Sequence, residues 1–339
     1  MLVDSYNRRI EDLRVSLTDR CNFNCFYCSA GSNQSYAPKD QILSFEELFE
    51  ICSIFVGLGI KKIRLTGGEP LLRKDIAKLV RRIARLKCPP LQDNSEANTL
   101  CDLAMTTNGF SLETKAEKLK FAGLDRVTIS LDSLNRRKFQ EITGADRLEE
   151  VLRSIGAAKT AGLNPVKINS VIIRGVNDDE ILDLIEFSRN HEIVLRFIEF
   201  MPLDVGRKWK REKVVPAKEI LSIVKTKFDL TEIDPAVSHE TARRFGFADG
   251  NSAEFGLISP VSEPFCNACS RIRLTADGQI RTCLFSTREF DAKKLIRDKK
   301  TSEEIAAFIV SVVNQKEFGH LINDPQFEPA SRSMRFIGG

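Results

Sequence analysis

A chain of 339 residues that is 42% hydrophobic and 29% charged has enough apolar content to bury the core of one large domain or two smaller ones. Its 51 basic and 47 acidic residues give a net charge of +4, which carries no argument for a nucleic-acid partner, and no apolar run approaches membrane-spanning length. Nine unevenly spaced cysteines in so long a chain argue against a secreted disulfide framework. They point instead to metal ligation in a reducing cytoplasm, and the charged amino-terminal stretch has no signal-peptide core.

The first predicted element is a strand carried by the alternation of Leu13, Val15 and Leu17. In the loop at its carboxyl end stand Cys21, Cys25 and Cys28, a CxxxCxxC pattern. Three thiolates that close can hold one soft metal centre. A structural zinc would need a fourth protein ligand, and the residues that follow supply none. A cubane iron–sulfur cluster on three cysteines leaves one iron open to an outside ligand.

From Ser44 a helix begins with a capping box, Ser44 and Glu47, and carries Leu48, Ile51, Cys52 and Phe55 on one face. Cys52 falls on that stripe and reads as core filler. A second strand, 61–65, ends in Thr66-Gly67-Gly68-Glu69-Pro70, where two glycines permit close approach of the backbone to a ligand. Asp75 leads a second helix with Ile76, Leu79, Val80, Ile83 and Leu86 on one face. The polar stretch 88–101, bracketed by Cys88 and Cys101, reads as a surface insertion with free thiols.

Strand-then-helix alternation continues. Strands are predicted at 103–106, 126–131, 166–173 and 193–200, with helices at 112–121, 148–159 and 179–189. Six such repeats build a parallel sheet, and six are too few to close an eight-stranded barrel, so the fold class is α/β: an incomplete (β/α)6 TIM-type barrel. The polar clusters at Cys21, Gly68, Thr106, Ser130 and Met201 all fall just past strand ends, where loops of such folds converge on a site.

In the second half a helix is predicted at 217–228, an irregular polar stretch at 229–251 and a strand at 254–259. Cys266 and Cys269 then form a CxxC, and Cys283 follows across a hairpin turned at Asp277-Gly278. A zinc ribbon wants two cysteines on each side, and here the second side has one. Three ligands with an open fourth position point to a second cluster. The extension is therefore expected to carry that cluster, dividing the chain into 1–205 and 206–339.

Taken together, CxxxCxxC with Tyr27 before its last cysteine, the Gly-Gly-Glu-Pro turn, the CxxC with Cys283 and the terminal Phe336-Ile337-Gly338-Gly339 resemble the molybdenum cofactor biosynthesis A family of radical S-adenosylmethionine enzymes, from about Arg9 to Gly339. The resemblance implies two 4Fe-4S clusters, one on Cys21, Cys25 and Cys28 and one on Cys266, Cys269 and Cys283. It implies S-adenosylmethionine contacts at Tyr27, Gly68, Ser130 and Met201, and GTP contacts at Arg14, Arg64, Thr106, Lys167, Arg271, Ile272 and Arg273. Arginine forks match phosphate oxygens bidentately, and strand alternation can aim Arg14, Arg64 and Lys167 into one cavity. The activity implied is radical cyclisation of GTP to 3′,8-cyclo-7,8-dihydro-GTP, with both clusters facing one chamber and the terminal Gly-Gly reaching back to it. The partners implied are a downstream cyclic pyranopterin monophosphate synthase and a flavodoxin- or ferredoxin-type reductant, with no nucleic acid, no membrane and a homodimer left open. Two departures stand out: Ser29-Ala30-Gly31 where relatives show Met-Pro, and the long 88–101 stretch. The rival readings are a radical enzyme acting on a peptide, which would carry more auxiliary cysteines and no Gly-Gly end, and a zinc-binding interaction module.

Overall fold

The computed structural model describes all residues except 29–35, 88–97, 204–208, 238, 330–331 and 339. The Ser29-Ala30-Gly31 departure, Cys88 and most of the 88–101 stretch, and the last glycine lie outside the described residues. Six strands alternate with helices: β1 (Asp12–Ser16), α1 (Phe45–Gly57), β2 (Lys62–Thr66), α2 (Ile76–Ala84), β3 (Asp102–Thr107), α3 (Ala116–Phe121), β4 (Arg126–Ser130), α4 (Arg136–Thr143), α5 (Leu148–Thr160), β5 (Lys167–Ile172), α6 (Ile181–His191) and β6 (Val194–Glu199). After them come α7 (Ala217–Lys225), β7 (Leu230–Ile233), β8 (Arg243–Phe247), β9 (Glu254–Ile258), β10 (Arg271–Leu274), β11 (Gln279–Arg281), β12 (Phe290–Asp291), α8 (Ala292–Arg297), α9 (Ser302–Val313) and α10 (Met334–Ile337).

Local chemistry sets the elements that were legible in advance. In α1 the Ser44 hydroxyl accepts from the Glu47 amide at 3.1 Å, and the Glu47 carboxylate accepts from the Ser44 amide at 2.7 Å, closing the capping box. Its stripe of Leu48, Ile51, Cys52 and Phe55 is fully buried against the sheet. In β1 and β2 the apolar residues Leu13, Val15, Ile63 and Leu65 face that helical layer with no exposure. Arg14 and Arg64, between them, turn to the opposite face.

All twelve strands join one sheet in the order β12-β11-β10-β1-β2-β3-β4-β5-β6-β9-β8-β7. Strands β1 to β6 run parallel, as the six-unit alternation predicts. The chain after residue 205 then adds to both edges. On one side β9 pairs parallel with β6, and on the other β10 pairs parallel with β1. Residues from β1, β2, β3, β5, β6 and β10 line common cavities, so the sheet curls into an open barrel.

Four expectations need correction. The helix foreseen at 112–121 starts only at Ala116, because residues 112–115 form turns. Helix α4 was not foreseen: its buried apolar side chains are only Phe139 and Ile142, and its cap, Asn135, accepts from the Arg137 and Lys138 amides at 3.0 and 3.1 Å. The stretch 229–251 was expected to be irregular but holds the antiparallel pair β7–β8, whose apolar residues are few and not cleanly alternating: Leu230 and Ile233 are three apart, and Gly246 separates Phe245 from Phe247. Helices α8 and α9 were likewise not foreseen, although Thr301 and Glu304 make a capping box for α9.

Phe255 holds the added edge together. Its ring stacks on Phe245 at 5.2 Å and meets Phe247 and Phe197 at 6.0 and 6.3 Å, with no exposure. Phe255→Ala should cost about 3–5 kcal/mol in urea unfolding of the metal-free protein. A loss under about 1 kcal/mol would mean that β9 is not the seam between β6 and β8.

Candidate active site

Cys21, Cys25 and Cys28 line one cavity, at the carboxyl rim of the barrel, together with Tyr27, Gly68, Ser130 and Met201. Their loop is fixed from two directions. The Asn24 and Phe26 amides donate to the Thr143 and Ile142 carbonyls at the end of α4, at 2.7 and 3.1 Å. From the other side Arg335 of α10 donates to the Phe23 carbonyl at 2.7 Å and to Asn24 Oδ1 at 2.8 Å. Burial pushes all three thiols up, Cys28 to about 12 and Cys25 well above its ordinary value. Thiolates so desolvated become favourable when a metal supplies positive charge, which suits them to ligation rather than to free nucleophilic chemistry.

The Gly67-Gly68 pair has a structural reason beyond ligand approach. A Cβ on Gly68 would lie 2.2 Å from the Arg20 carbonyl oxygen, and one on Gly67, at φ +146°, would lie 2.7 Å from that of Thr18. The turn after β2 therefore packs backbone to backbone on the cysteine loop. Glu69 extends the tie to the next loop: its buried carboxylate accepts from Leu71 N at 2.9 Å and from Thr107 Oγ1 and Asn108 N at 2.7 Å. Tyr27 donates to Asp132 Oδ2 at 2.5 Å, and burial raises Asp132 to about 6.

Cys266, Cys269 and Cys283 line a second cavity. Because β10 runs parallel to β1 and β11 antiparallel to β10, the loop before β10 and the loop after β11 both lie at the amino rim. The two trios thus occupy opposite ends of the barrel. The cavities share Thr106, Asn169, Ile198, Met201 and Met334, so they are two ends of one passage. Cys269 differs from the first trio: burial pushes its thiol up, but Arg271 and Lys316 outweigh that and bring it down to about 6. Among the described residues no three of His, Cys, Asp and Glu converge as ligands of a single ion. Three sulfurs spread around a cavity match a cubane, in which each cysteine binds a different iron.

Between the trios the wall is cationic. Arg14, Arg64, Arg196, Arg271, Arg273 and Lys316 all line the second cavity, and no Asp or Glu is among its described lining residues. Register sets Arg273, Arg14 and Arg64 side by side across β10, β1 and β2. Burial, and then repulsion from neighbouring arginines, pulls Arg14 down to about 9; burial and Arg126 pull Arg64 and Arg196 to about 10. Arg64 reaches the Thr128 hydroxyl at 3.1 Å and that of Thr106 at 3.4 Å, whereas the buried Nε of Arg14 has no hydrogen-bond partner. A buried crowd of cations with no carboxylate on its cavity wall is built for a polyanion.

Two of the residues singled out in the sequence stand apart. Lys167, at the start of β5, lines neither cavity; burial and then Arg196 bring it down to about 7. Ile272 is fully buried on the core face of β10, so only its main chain belongs to the site. The carboxyl terminus does reach back. Met334 lines both cavities, Arg273 donates to the Gly338 carbonyl, and Gly338 sits at φ +77° where a Cβ would lie 2.4 Å from Thr66 Oγ1. Sequence reasoning missed Arg196, Asp132, Asn169, Lys316 and Met334, and placed Glu69 in the turn after β2 without its role of tying that turn to the next loop. Arg196 was recoverable, since it alternates with Ile198 on the inward face of β6. The others have no local signal, because their partners are distant in the chain.

The profile of the Radical SAM superfamily matches residues 15–188, and that of Molybdenum Cofactor Synthesis C matches residues 193–322. A GTP 3′,8-cyclase of Streptomyces coelicolor is 43% identical over 340 residues, covering 100% of this chain and 96% of that protein. One from Corynebacterium glutamicum is 40% identical over 344 residues, covering 100% of this chain and 89% of its own length. Among solved structures, Streptococcus suis SuiB bound to S-adenosylmethionine superposes with a TM-score of 0.62 at 16% identity, covering 89% of this chain and 68% of that one, a likeness of fold.

The glycine argument is testable without any cofactor. Gly68→Ala should lower the stability of the metal-free protein by about 1–3 kcal/mol, because backbone must move to admit the Cβ. Gly57→Ala, with nothing within 4 Å, should leave it unchanged or raise it by about 0.5–1 kcal/mol. Equal melting temperatures for the two variants would contradict the packing described.

Proposed function

The chain belongs to the GTP 3′,8-cyclase family of radical S-adenosylmethionine enzymes, and on that premise we propose how its own residues divide the work of converting GTP to 3′,8-cyclo-7,8-dihydro-GTP, the first step of molybdenum cofactor biosynthesis. Cys21, Cys25 and Cys28 hold one 4Fe-4S cluster, and Tyr27, Gly68, Ser130 and Met201 surround the S-adenosylmethionine beside it. Cys266, Cys269 and Cys283 hold the second cluster, at the end of the passage where the guanine ring belongs. When bound, the first cluster and S-adenosylmethionine supply the electron and the hydrogen-abstracting group.

The rest is binding and positioning by the chain. Arg14, Arg64, Arg196, Arg271 and Arg273 neutralise the triphosphate, with Lys167 adding charge from behind the wall. Thr106, Asn169 and Met201, common to both cavities, stand where the ribose would present C3′ toward the adenosyl end. Met334 narrows the passage from the carboxyl-terminal side, and the Gly338 carbonyl holds the Arg273 guanidinium in place. Residues 1–205 carry the radical chemistry and residues 206–339 complete the substrate end. The product goes on to a cyclic pyranopterin monophosphate synthase, and a flavodoxin- or ferredoxin-type protein supplies electrons.

The observation that carries this reading is the single passage with a cysteine trio at each end and an acid-free cationic wall between them. The test is to incubate the reduced holoenzyme with GTP and S-adenosylmethionine, expecting 5′-deoxyadenosine and the cyclised nucleotide together. Deoxyadenosine without a cyclised nucleotide would refute it. Cys266→Ala should spare S-adenosylmethionine cleavage and abolish cyclisation; undiminished cyclised product would remove the second trio from the reaction.

A pH dependence follows from the wall. Burial and then Arg196 bring the Lys167 ammonium down to about 7 in the free protein, and a bound triphosphate would hold that proton on. Binding then takes up a proton, so triphosphate affinity should fall as pH rises above about 7. Lys167→Met should flatten that decline in calorimetric titrations, and a flat profile for the unsubstituted protein would refute the linkage.

A further inference from the structure

The amino-terminal hairpin contains a buried ion pair that the reaction, as derived above, does not use. Residues 2–10 fold back on themselves: Val3 bridges Arg9, and the Ile10 amide donates to the Leu2 carbonyl. Inside this hairpin Arg8 Nε donates to Asp4 Oδ2 at 2.6 Å, with the Arg8 side chain 6% exposed and that of Asp4 fully buried. Asp4 Oδ1 also accepts from the Tyr6 and Arg8 amides, at 3.0 and 2.9 Å, which fixes the carboxylate and so the guanidinium plane.

The other side of that guanidinium faces the second cysteine trio. Arg8 Nη1 donates to the Cys266 carbonyl and to the Phe318 carbonyl, both at 2.7 Å, and Nη2 donates to the Glu317 carbonyl at 2.7 Å. A single side chain thus joins a residue of the trio to the segment 316–318. That segment in turn reaches the chain on either side of the rest of the trio, at Arg271, Thr282 and Ser286. Lys316 Nζ donates to the Arg271 carbonyl at 2.9 Å and to the Thr282 carbonyl, and the Glu317 carboxylate accepts from Thr282 Oγ1 at 2.6 Å and Ser286 Oγ at 2.7 Å. Gly319 follows, packed close on the ligand residue: a Cβ there would sit 3.3 Å from Cys266 Cβ and 3.4 Å from its Sγ.

We propose that Arg8, held by Asp4, is a positioning residue for the second iron–sulfur cluster: its fork fixes the Cys266 main chain to the 316–318 segment that also braces Cys269 and Cys283. This rests on the reading that Cys266, Cys269 and Cys283 hold a cluster. The physical case is that loops after a turn do not set sulfur positions by themselves, and carbonyls held by a rigid charged fork do. Lysine could not replace it, since one ammonium cannot span three carbonyls and a carboxylate in fixed directions. The clamp acts on the amino rim alone and touches nothing at the first trio.

The test uses the full chain, anaerobically reconstituted, and reads iron per chain, the spectroscopic signature of the second cluster with and without GTP, and the two products separately. The unsubstituted protein should hold about eight irons, four in each cluster. Arg8→Met should fall toward about four and lose the GTP-sensitive signature, still cleave S-adenosylmethionine, and lower cyclised product by about 10–100-fold. Arg8→Lys and Asp4→Asn should fall between. In metal-free protein, amide exchange at residues 265–270 and 316–320 should quicken in all three variants, while β2 to β5 exchange as before. Should Arg8→Met fail to fold, Arg8→Lys and Asp4→Asn decide. Full iron, an unchanged GTP-sensitive signature and unchanged exchange in the variants would overturn the clamp. Cys266→Ala separates the two ideas: if it too keeps about eight irons, the cluster assignment fails, and if it loses four while the Arg8 and Asp4 variants do not, only the clamp fails.

Discussion

Three arginines standing shoulder to shoulder across β10, β1 and β2 set the terms for the whole molecule. Adjacent strands are about 4.8 Å apart, so Arg273, Arg14 and Arg64 are held in a row that like charges would not choose. The row below gives partial relief, where Asp12 lies between Arg271 and Lys62. What holds the cations in place is the other face of the same strands: Ile272, Leu274, Leu13, Val15, Ile63 and Leu65 are all fully buried against the helices. Apolar burial on one face sustains an electrostatic burden on the other, and a triphosphate relieves it on binding.

That row exists because the carboxyl-terminal part of the chain pairs with the first strand. Without β10 the sheet would end at β1, and Arg271, Arg273 and the second cysteine trio would have no place beside Arg14. The parallel sense of the pairing then puts the second trio at the rim opposite the first. Open α/β barrels usually keep chemistry at the carboxyl rim and leave the amino rim to stability. Here each rim carries a cysteine trio, and the two cavities they line share residues in the interior between them.

The two trios are not alike electrostatically. The first is desolvated and approached by few cations, so its thiols are raised. In the second, Arg271 and Lys316 outweigh burial at Cys269 and bring it down to about 6, while burial keeps Cys266 raised. The carboxyl terminus joins the two environments: Arg335 grips the first loop, and the Gly338 carbonyl takes a hydrogen bond from Arg273 of the cationic wall. A side chain at Gly338 would collide with Thr66 and Ser16, which is why a glycine ends this helix.

Much of this was legible along the chain. CxxxCxxC after an alternating strand, a Gly-Gly turn after the next, and six strand–helix repeats depend on spacings of a few residues, and local spacing is what a sequence records. Both cysteine trios, each of which lines a cavity, and most of the cationic wall could be named from it. The sequence was silent where partners meet only through folding: Arg8 on Cys266, Glu69 on Asn108, Tyr27 on Asp132, and α4 as the seat of the cysteine loop. Even alternation misplaced Lys167, since it says that side chains point to opposite faces and not which face encloses the ligand, and Ile272, taken from the resemblance, turns to the core face. Composition and spacing determined the chemistry this chain can hold. Only the pairing of its two ends across one curved sheet decided that the two halves of that chemistry face each other, because strand register is fixed by contacts between residues far apart in sequence.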